Sequence, residues 1–240
     1  NQGNPVSEHL PKSDRPESQK TLDVLLRIIR EAPAVMAQSS TNKRLAAAGT
    51  PLFTNGVWPC LGGRAASLRS LRERYGIDRS AVISAVDVII GLGRCLGMEA
   101  ILVPGATGYI DTNYEGKADA AIRALHDHDF VYLHVEAIDE VSHEQKLDLK
   151  IQAIEDFDRR VVGRVLNAIG EDVNVVVLPD HPVPIAIGKH TRTPVPVAAR
   201  LRGREPDSVQ VFDELACPQG ALGAMRNGDL MRLLFDATRA

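Results

Sequence analysis

The chain has 240 residues, of which 44% are hydrophobic and 25% charged, with a net charge of −3, a composition that suits a soluble globular protein with a sizeable buried core. Without a dense Lys/Arg run it carries no electrostatic footprint for nucleic acid. No apolar stretch approaches the ~20 residues needed to span a bilayer, which argues against a membrane protein.

The opening stretch to Lys20 is polar, contains proline and lacks a hydrophobic period, as a linker or a cut end would; it also lacks a signal peptide's basic and apolar regions. The chain is therefore expected to be a fragment. Apolar spacing over residues 21–37 predicts an amphipathic helix, with Thr21 as a cap and Pro33 breaking or kinking it. From Gly49 to Gly63, around Trp58, Gly, Pro, Thr and Asn predict irregular chain and a domain junction. Residues 1–60 and 61–240 are the expected domains.

From Ser67 the pattern becomes regular. Helices are predicted over 67–75, 86–96, from Asp111 or Thr112 to Leu125, over 147–169 and over 228–237. Strands are predicted over 99–103, 130–135, 173–178, 195–201 and 209–212, and residues 80–85 read as a strand or as the entry to the helix over 86–96. Such alternation predicts an α/β fold, a mostly parallel sheet with helices on both faces. Cys60, Cys95 and Cys217 fit no ligand spacing and read as reduced thiols of a cytoplasmic protein.

The chemistry lies at strand ends. The run ending at Val135 leads into Asp139 and His143, the run ending at Leu178 leads into Asp180 and His181, and His190 follows. Ligands of open α/β sheets collect beyond the carboxyl ends of strands, so these side chains are expected to converge. Carboxylate and imidazole suit Zn2+ or Mn2+ and other first-row divalent ions, and a pair of ions can clamp a phosphoryl group. Taken singly, Asp180-His181-Pro182 reads equally as a turn, and Asp139 with His143 as a helix-start pair.

Other candidates are weaker. His126 and His128 read as solvated, His134 as a packed, hydrogen-bonded residue, and Lys117 and Arg123 as surface. Pro104-Gly-Ala-Thr-Gly108 matches neither the P-loop nor the dinucleotide pattern and reads as a tight turn. Arg192, close after His190, is a candidate phosphate contact.

Asp139-Glu-Val-Ser-His143, Lys150 to Asp158, Leu178-Pro-Asp-His-Pro-Val-Pro184 and His190-Thr-Arg-Thr-Pro-Val-Pro196 resemble the archaeal-type cofactor-independent phosphoglycerate mutases of the alkaline phosphatase superfamily. So do Arg74-Tyr-Gly76, Ser84 to Asp87 and Gly105 to Lys117. The resemblance covers residues 40–240. It implies an alkaline-phosphatase-like fold, incomplete at the amino terminus, and interconversion of 3- and 2-phosphoglycerate through a phosphoserine without 2,3-bisphosphoglycerate. It implies two divalent ions, Mn2+ or Zn2+ with Mg2+ and Co2+ as further options. Asp139, His143 and His190 would hold one, and Asp180 with His181 part of the second.

In that family an aspartate and the nucleophilic serine come from an amino-terminal part that nothing in these residues matches. The chain alone is thus expected to be inactive, with a missing amino-terminal segment or a second chain as partner beside the small phosphorylated substrate. Residues 1–60 would be the tail of an inserted substrate-closing domain, with Asn42 and Arg44 as contacts. Ser142 stands where the family more often has Gly, which is expected to alter a loop's backbone freedom. A homoserine-kinase-like phosphotransferase and a non-catalytic metal-binding or interaction module are the alternatives.

Overall fold

A computed structural model describes residues 6–49, 56–57, 67–226 and 228–236. The chain divides into two compact units, 1–65 and 66–240. In the first, 3-10 turns at Val6–His9 and Pro16–Ser18 precede helix α1 (Gln19–Gln38), and α2 (Ser40–Ala47) follows. Pro33 lies inside α1 without ending it, and the cap position is Ser18 rather than Thr21, because the 3-10 turn runs directly into the helix. Trp58, Cys60 and all of the predicted irregular stretch except Gly49, Gly56 and Val57 lie outside the described residues.

The second unit opens with α3 (Leu71–Tyr75). Ser70 and Glu73 form a reciprocal capping box at its start, and Gly76 ends it in a left-handed conformation (φ 73°) that a side chain would disfavour. Next come β1 (Ser80–Ile83), α4 (Asp87–Cys95), β2 (Glu99–Ile101), α5 (Tyr114–Ala124) and β3 (Phe130–Leu133). They are followed by α6 (Ala137–His143), α7 (Leu147–Phe157), α8 (Gly163–Ala168), β4 (Val175–Val177), β5 (Ala198–Arg200) and α9 (Asp229–Asp236). Among the described residues, no helix is long and apolar enough to cross a membrane.

β1 is the centre of a parallel three-stranded sheet ordered β2-β1-β3, with Val82 opposite Ala100 and Tyr132. Successive strand side chains point to opposite faces. Val82 packs with Leu71, Ile90 and Met98 on the α3/α4 side, whereas Ile83 packs with Ala120 and Ala121 of α5 on the other. Helices therefore cover both faces, which explains why every residue of β1 is buried. The expected mostly parallel sheet differs in one respect: β4 and β5 form a separate antiparallel pair.

Two further expectations change. Val209–Phe212 is not a strand, because Asp207 accepts from the Val209 and Ala221 amides and Asp213 from those of Leu215 and Ala216, turning the chain instead. The predicted helix over 147–169 passes through a π-helical turn at Asp158–Val162 between α7 and α8. Arg160 and Arg164, a helical turn apart, reach α5 through Glu115 and Asp119, with Nε to carboxylate distances of 2.6 Å each. A bidentate contact with Arg160 holds the Glu115 carboxyl down at about 2.

Gly93 of α4 sets the approach of helix to sheet, since a Cβ there would stand 2.5 Å from Val82 Cγ1. Gly93→Ala is expected to destabilise the protein by about 1–3 kcal/mol through overpacking. Gly91→Ala, where a Cβ meets nothing within 4 Å, should be neutral or mildly stabilising. Urea unfolding of the two variants checks this; equal stabilities would contradict the packing account.

Candidate metal centre

α6 presents its functional side chains because its opposite side is committed to the core. Ala137 and Val141, one turn apart, are fully buried against Tyr114, Ala118, Ala153 and Val161. Asp139 and His143 share the same spacing but fall on the other side of the helix. Ser142 is an interior helical residue rather than a loop hinge. It is 1% exposed and its hydroxyl donates to the Ile138 carbonyl at 2.5 Å, so the expected effect on loop freedom does not arise.

The end of α6 is tied to the segment that carries His190. Gln145 takes a positive φ of 58° and donates through its side chain to the Ile185 carbonyl at 3.0 Å. Lys150 reaches the Val183 carbonyl at 2.8 Å. Gly188 needs its lack of a side chain twice over, for a φ of 61° and because a Cβ would lie 2.9 Å from Gln145 Cγ. Its carbonyl is 2.9 Å from His143 Nδ1. A carbonyl only accepts, so Nδ1 carries the proton, and in the neutral ring Nε2 is left with its lone pair.

That lone pair faces other Lewis bases. His143 Nε2 lies 3.2 Å from Asp139 Oδ2 and 3.0 Å from His190 Nε2. Asp139 Oδ1 is 3.5 Å from His190 Nε2 and 3.8 Å from His181 Nδ1. Asp139 Oδ1 and His181 Nδ1 are both shielded from solvent and have no hydrogen-bond partner. A cation among these donors would give both unpartnered atoms a partner. Two ligand atoms of one tetrahedral ion at ~2.0–2.1 Å stand about 3.3 Å apart, inside the range of these spacings.

The five residues singled out in the sequence do not contribute alike. Asp139, His143 and His190 each offer a ligand atom within 4.8 Å of the others. His181 stacks on His190 with ring centroids 3.7 Å apart, and its Nε2 lies 3.4 Å from Asp180 Oδ2. Asp180 stands outside the group formed by Asp139, His143 and His190, with Oδ1 accepting from the His181 amide. Arg192 is exposed nearby in sequence. In the first unit Arg44 is exposed, whereas Asn42 is buried with its amide on the Met36 carbonyl at 2.9 Å.

Other residues weighed in the sequence take the following places. Lys117, expected at the surface, is fully buried, with Nζ 3.3 Å from the His134 carbonyl. His134 is hydrogen-bonded as expected, to Ser84 at 3.2 Å, and its other nitrogen is 3.3 Å from Glu136. His128 is not solvated; it bridges the Ala124 carbonyl and Glu99. In the 104–108 loop, the Ala106 and Thr107 amides are taken up by Val103 and Thr112, in keeping with a tight turn.

Comparison with known proteins bears on this geometry. Residues 61–237 match the metalloenzyme superfamily. The chain belongs to that superfamily. Within it, the chain is 43% identical over 236 residues to a 2,3-bisphosphoglycerate-independent phosphoglycerate mutase of Methanothrix thermoacetophila, covering 97% of this chain and 58% of that protein. A protein of the same name from Methanosarcina barkeri is 40% identical, with 98% and 58% covered. The chain thus spans little more than half the length of these relatives.

Among solved structures, the PH0037 protein from Pyrococcus horikoshii superimposes with a TM-score of 0.78 at 28% identity, covering 93% of this chain and 58% of that one. The cofactor-independent phosphoglycerate mutase from Thermoplasma acidophilum gives 0.57 at 25%, covering 94% and 54%. The expected alkaline-phosphatase-like α/β fold is thereby borne out.

Burial pushes the Lys117 amine down from 10.5 to about 8, with Glu136 pulling weakly the other way. Between those values the unfolded chain binds more protons than the folded one, so stability should rise with pH across that window. Thermal melts are expected to show this rise in the wild type and a flatter profile in Lys117→Met. An identical slope in both would contradict the burial of the charge.

Proposed function

We propose that this chain supplies most of the metal ligands of a phosphoglycerate mutase that interconverts 3- and 2-phosphoglycerate without 2,3-bisphosphoglycerate. Asp139, His143 and His190 would hold one divalent ion, and Asp180 with His181 part of a second. The observation that carries this reading is the pair of solvent-shielded, unpartnered atoms, Asp139 Oδ1 and His181 Nδ1, beside a His143 ring whose lone pair faces inward. The names of the relatives supply the substrate.

The roles follow from donor chemistry. The site fits Mn2+ or Zn2+, and also Co2+ or Mg2+, since carboxylate and imidazole serve all of them and availability decides. Divalent ions bound there stabilise negative charge developing on a phosphoryl group and on attacking and leaving oxygens. A serine that takes and returns the phosphoryl group would lie outside these residues, consistent with the partial coverage of the relatives. Arg192 would contact the phosphate. Residues 1–60 would be the tail of a domain that closes over substrate, with the exposed Arg44 as a contact; Asn42, expected beside it, is instead buried inside its own unit. The enzyme would work in the cytoplasm.

Two measurements test this. Elemental analysis should find divalent metal in the purified chain, and Asp139→Asn and His190→Ala should each weaken Mn2+ binding at least about ten-fold, because changes outside the ligand sphere alone cost that much. A protein containing this chain together with a nucleophile-bearing segment should convert 3-phosphoglycerate to 2-phosphoglycerate with no added bisphosphoglycerate. Inertness towards phosphoglycerate with transfer from ATP to homoserine would replace the mutase by a kinase-like activity. Metal binding with neither activity would leave a non-catalytic module.

A further inference from the structure

The carboxyl ends of β1 and β3 also carry a pair of side chains outside the proposed ligand set. β2 and β3 flank β1 on opposite sides. After β1 the chain leaves to α4, which lies on the Val82 side; after β3 it leaves to α6, which packs with α5 towards the other face. The two connections thus leave the carboxyl ends of β1 and β3 towards opposite faces, the end of the sheet at which α/β proteins bind ligands. Ser84 follows β1 and His134 follows β3, and they meet there.

Their polar contacts have one consistent direction. Ser84 Oγ, 4% exposed as a residue, accepts from the Val86 amide at 3.0 Å and lies 3.2 Å from His134 Nδ1. His134 Nε2 lies 3.3 Å from Glu136 Oε2. An ionised carboxylate only accepts, so Nε2 carries the ring proton. Nδ1 then has a lone pair and accepts a hydrogen bond from the Ser84 hydroxyl. The backbone of His134 is fixed as well, its amide on the Ile83 carbonyl at 2.8 Å and its carbonyl on the buried Lys117. With both ring nitrogens and both backbone groups engaged, the imidazole has one orientation. It points at Glu136, whose carboxylate comes within 4.8 Å of Asp139 and Glu140.

We infer that Ser84 and His134 are positioning residues that hold the Glu136 carboxylate at the rim of the proposed metal centre, where it strengthens cation binding by Asp139 and its histidine partners. This rests on the metal reading above. Carboxylates clustered this closely repel one another unless positive charge stands among them, and the His134 ring, 3.3 Å from Glu136 Oε2, is the polar contact that keeps this carboxylate in place. Neighbours of this kind contribute about ten-fold or more to metal affinity in other proteins.

The test is Mn2+ titration of the chain and its variants, followed by calorimetry, together with 15N NMR of the His134 ring. Glu136→Gln should weaken Mn2+ binding about ten-fold. His134→Leu should do the same, and His134→Gln, which retains an amide donor towards Glu136, should recover most of the loss. The ring should be the Nε2–H tautomer in the wild type and lose that preference in Ser84→Ala. Unchanged affinity in Glu136→Gln, with Asp139→Asn weakened, overturns this inference alone. Unchanged affinity in both overturns the metal reading beneath it. Equal loss in His134→Gln and His134→Leu overturns the positioning role.

Discussion

The burial of Ala137 and Val141 against α5, α7 and the π-helical turn is the constraint from which the site follows. A short helix has little stability of its own, so its orientation is decided by the face it buries. Once that face is fixed, Asp139 and His143 have no freedom to turn elsewhere. The salt bridges from Arg160 and Arg164 to α5 brace the same layer from behind, so the platform under the site is held by packing and by ion pairs together.

On that platform the structure concentrates what folding normally avoids. A carboxylate oxygen and an imidazole nitrogen are withdrawn from water without partners, and the Nε2 atoms of His143 and His190 stand only 3.0 Å apart. Unsatisfied buried polar atoms cost about 1–3 kcal/mol each. The Gly188 carbonyl, by fixing the His143 proton on Nδ1, keeps its Nε2 lone pair turned inward. A divalent cation would convert these liabilities into bonds, which is the physical reason for reading the cluster as a metal centre in a member of the metalloenzyme superfamily.

Much of this was legible in the sequence, for identifiable reasons. Helices with clear ends, such as the one closed by Gly76, and apolar runs such as Phe130–Leu133 were read because local pattern and tertiary burial agree there. Asp139, His143, Asp180, His181 and His190 stood out because acids and histidines follow strand ends. Lys117 was misread because a lysine in a helix gives no sign of whether its amine meets solvent or a strand-end carbonyl. Glu136 was passed over because its importance comes from His134, whose partner Ser84 is distant in sequence. Val209–Phe212 carries strand-forming residues, yet flanking aspartates bind the local amides and override that propensity. The antiparallel direction of β5 has no signature in an apolar run.

The central claim is that α6 and the segment from Asp180 to His190 meet around a cation. Anomalous diffraction from crystals of this chain grown with Mn2+ or Zn2+ tests it most directly. The account requires a peak about 2.0–2.2 Å from Asp139, His143 and His190 donor atoms. A well-ordered crystal with no peak there, or with one bound elsewhere while those side chains keep their present spacing, would contradict it.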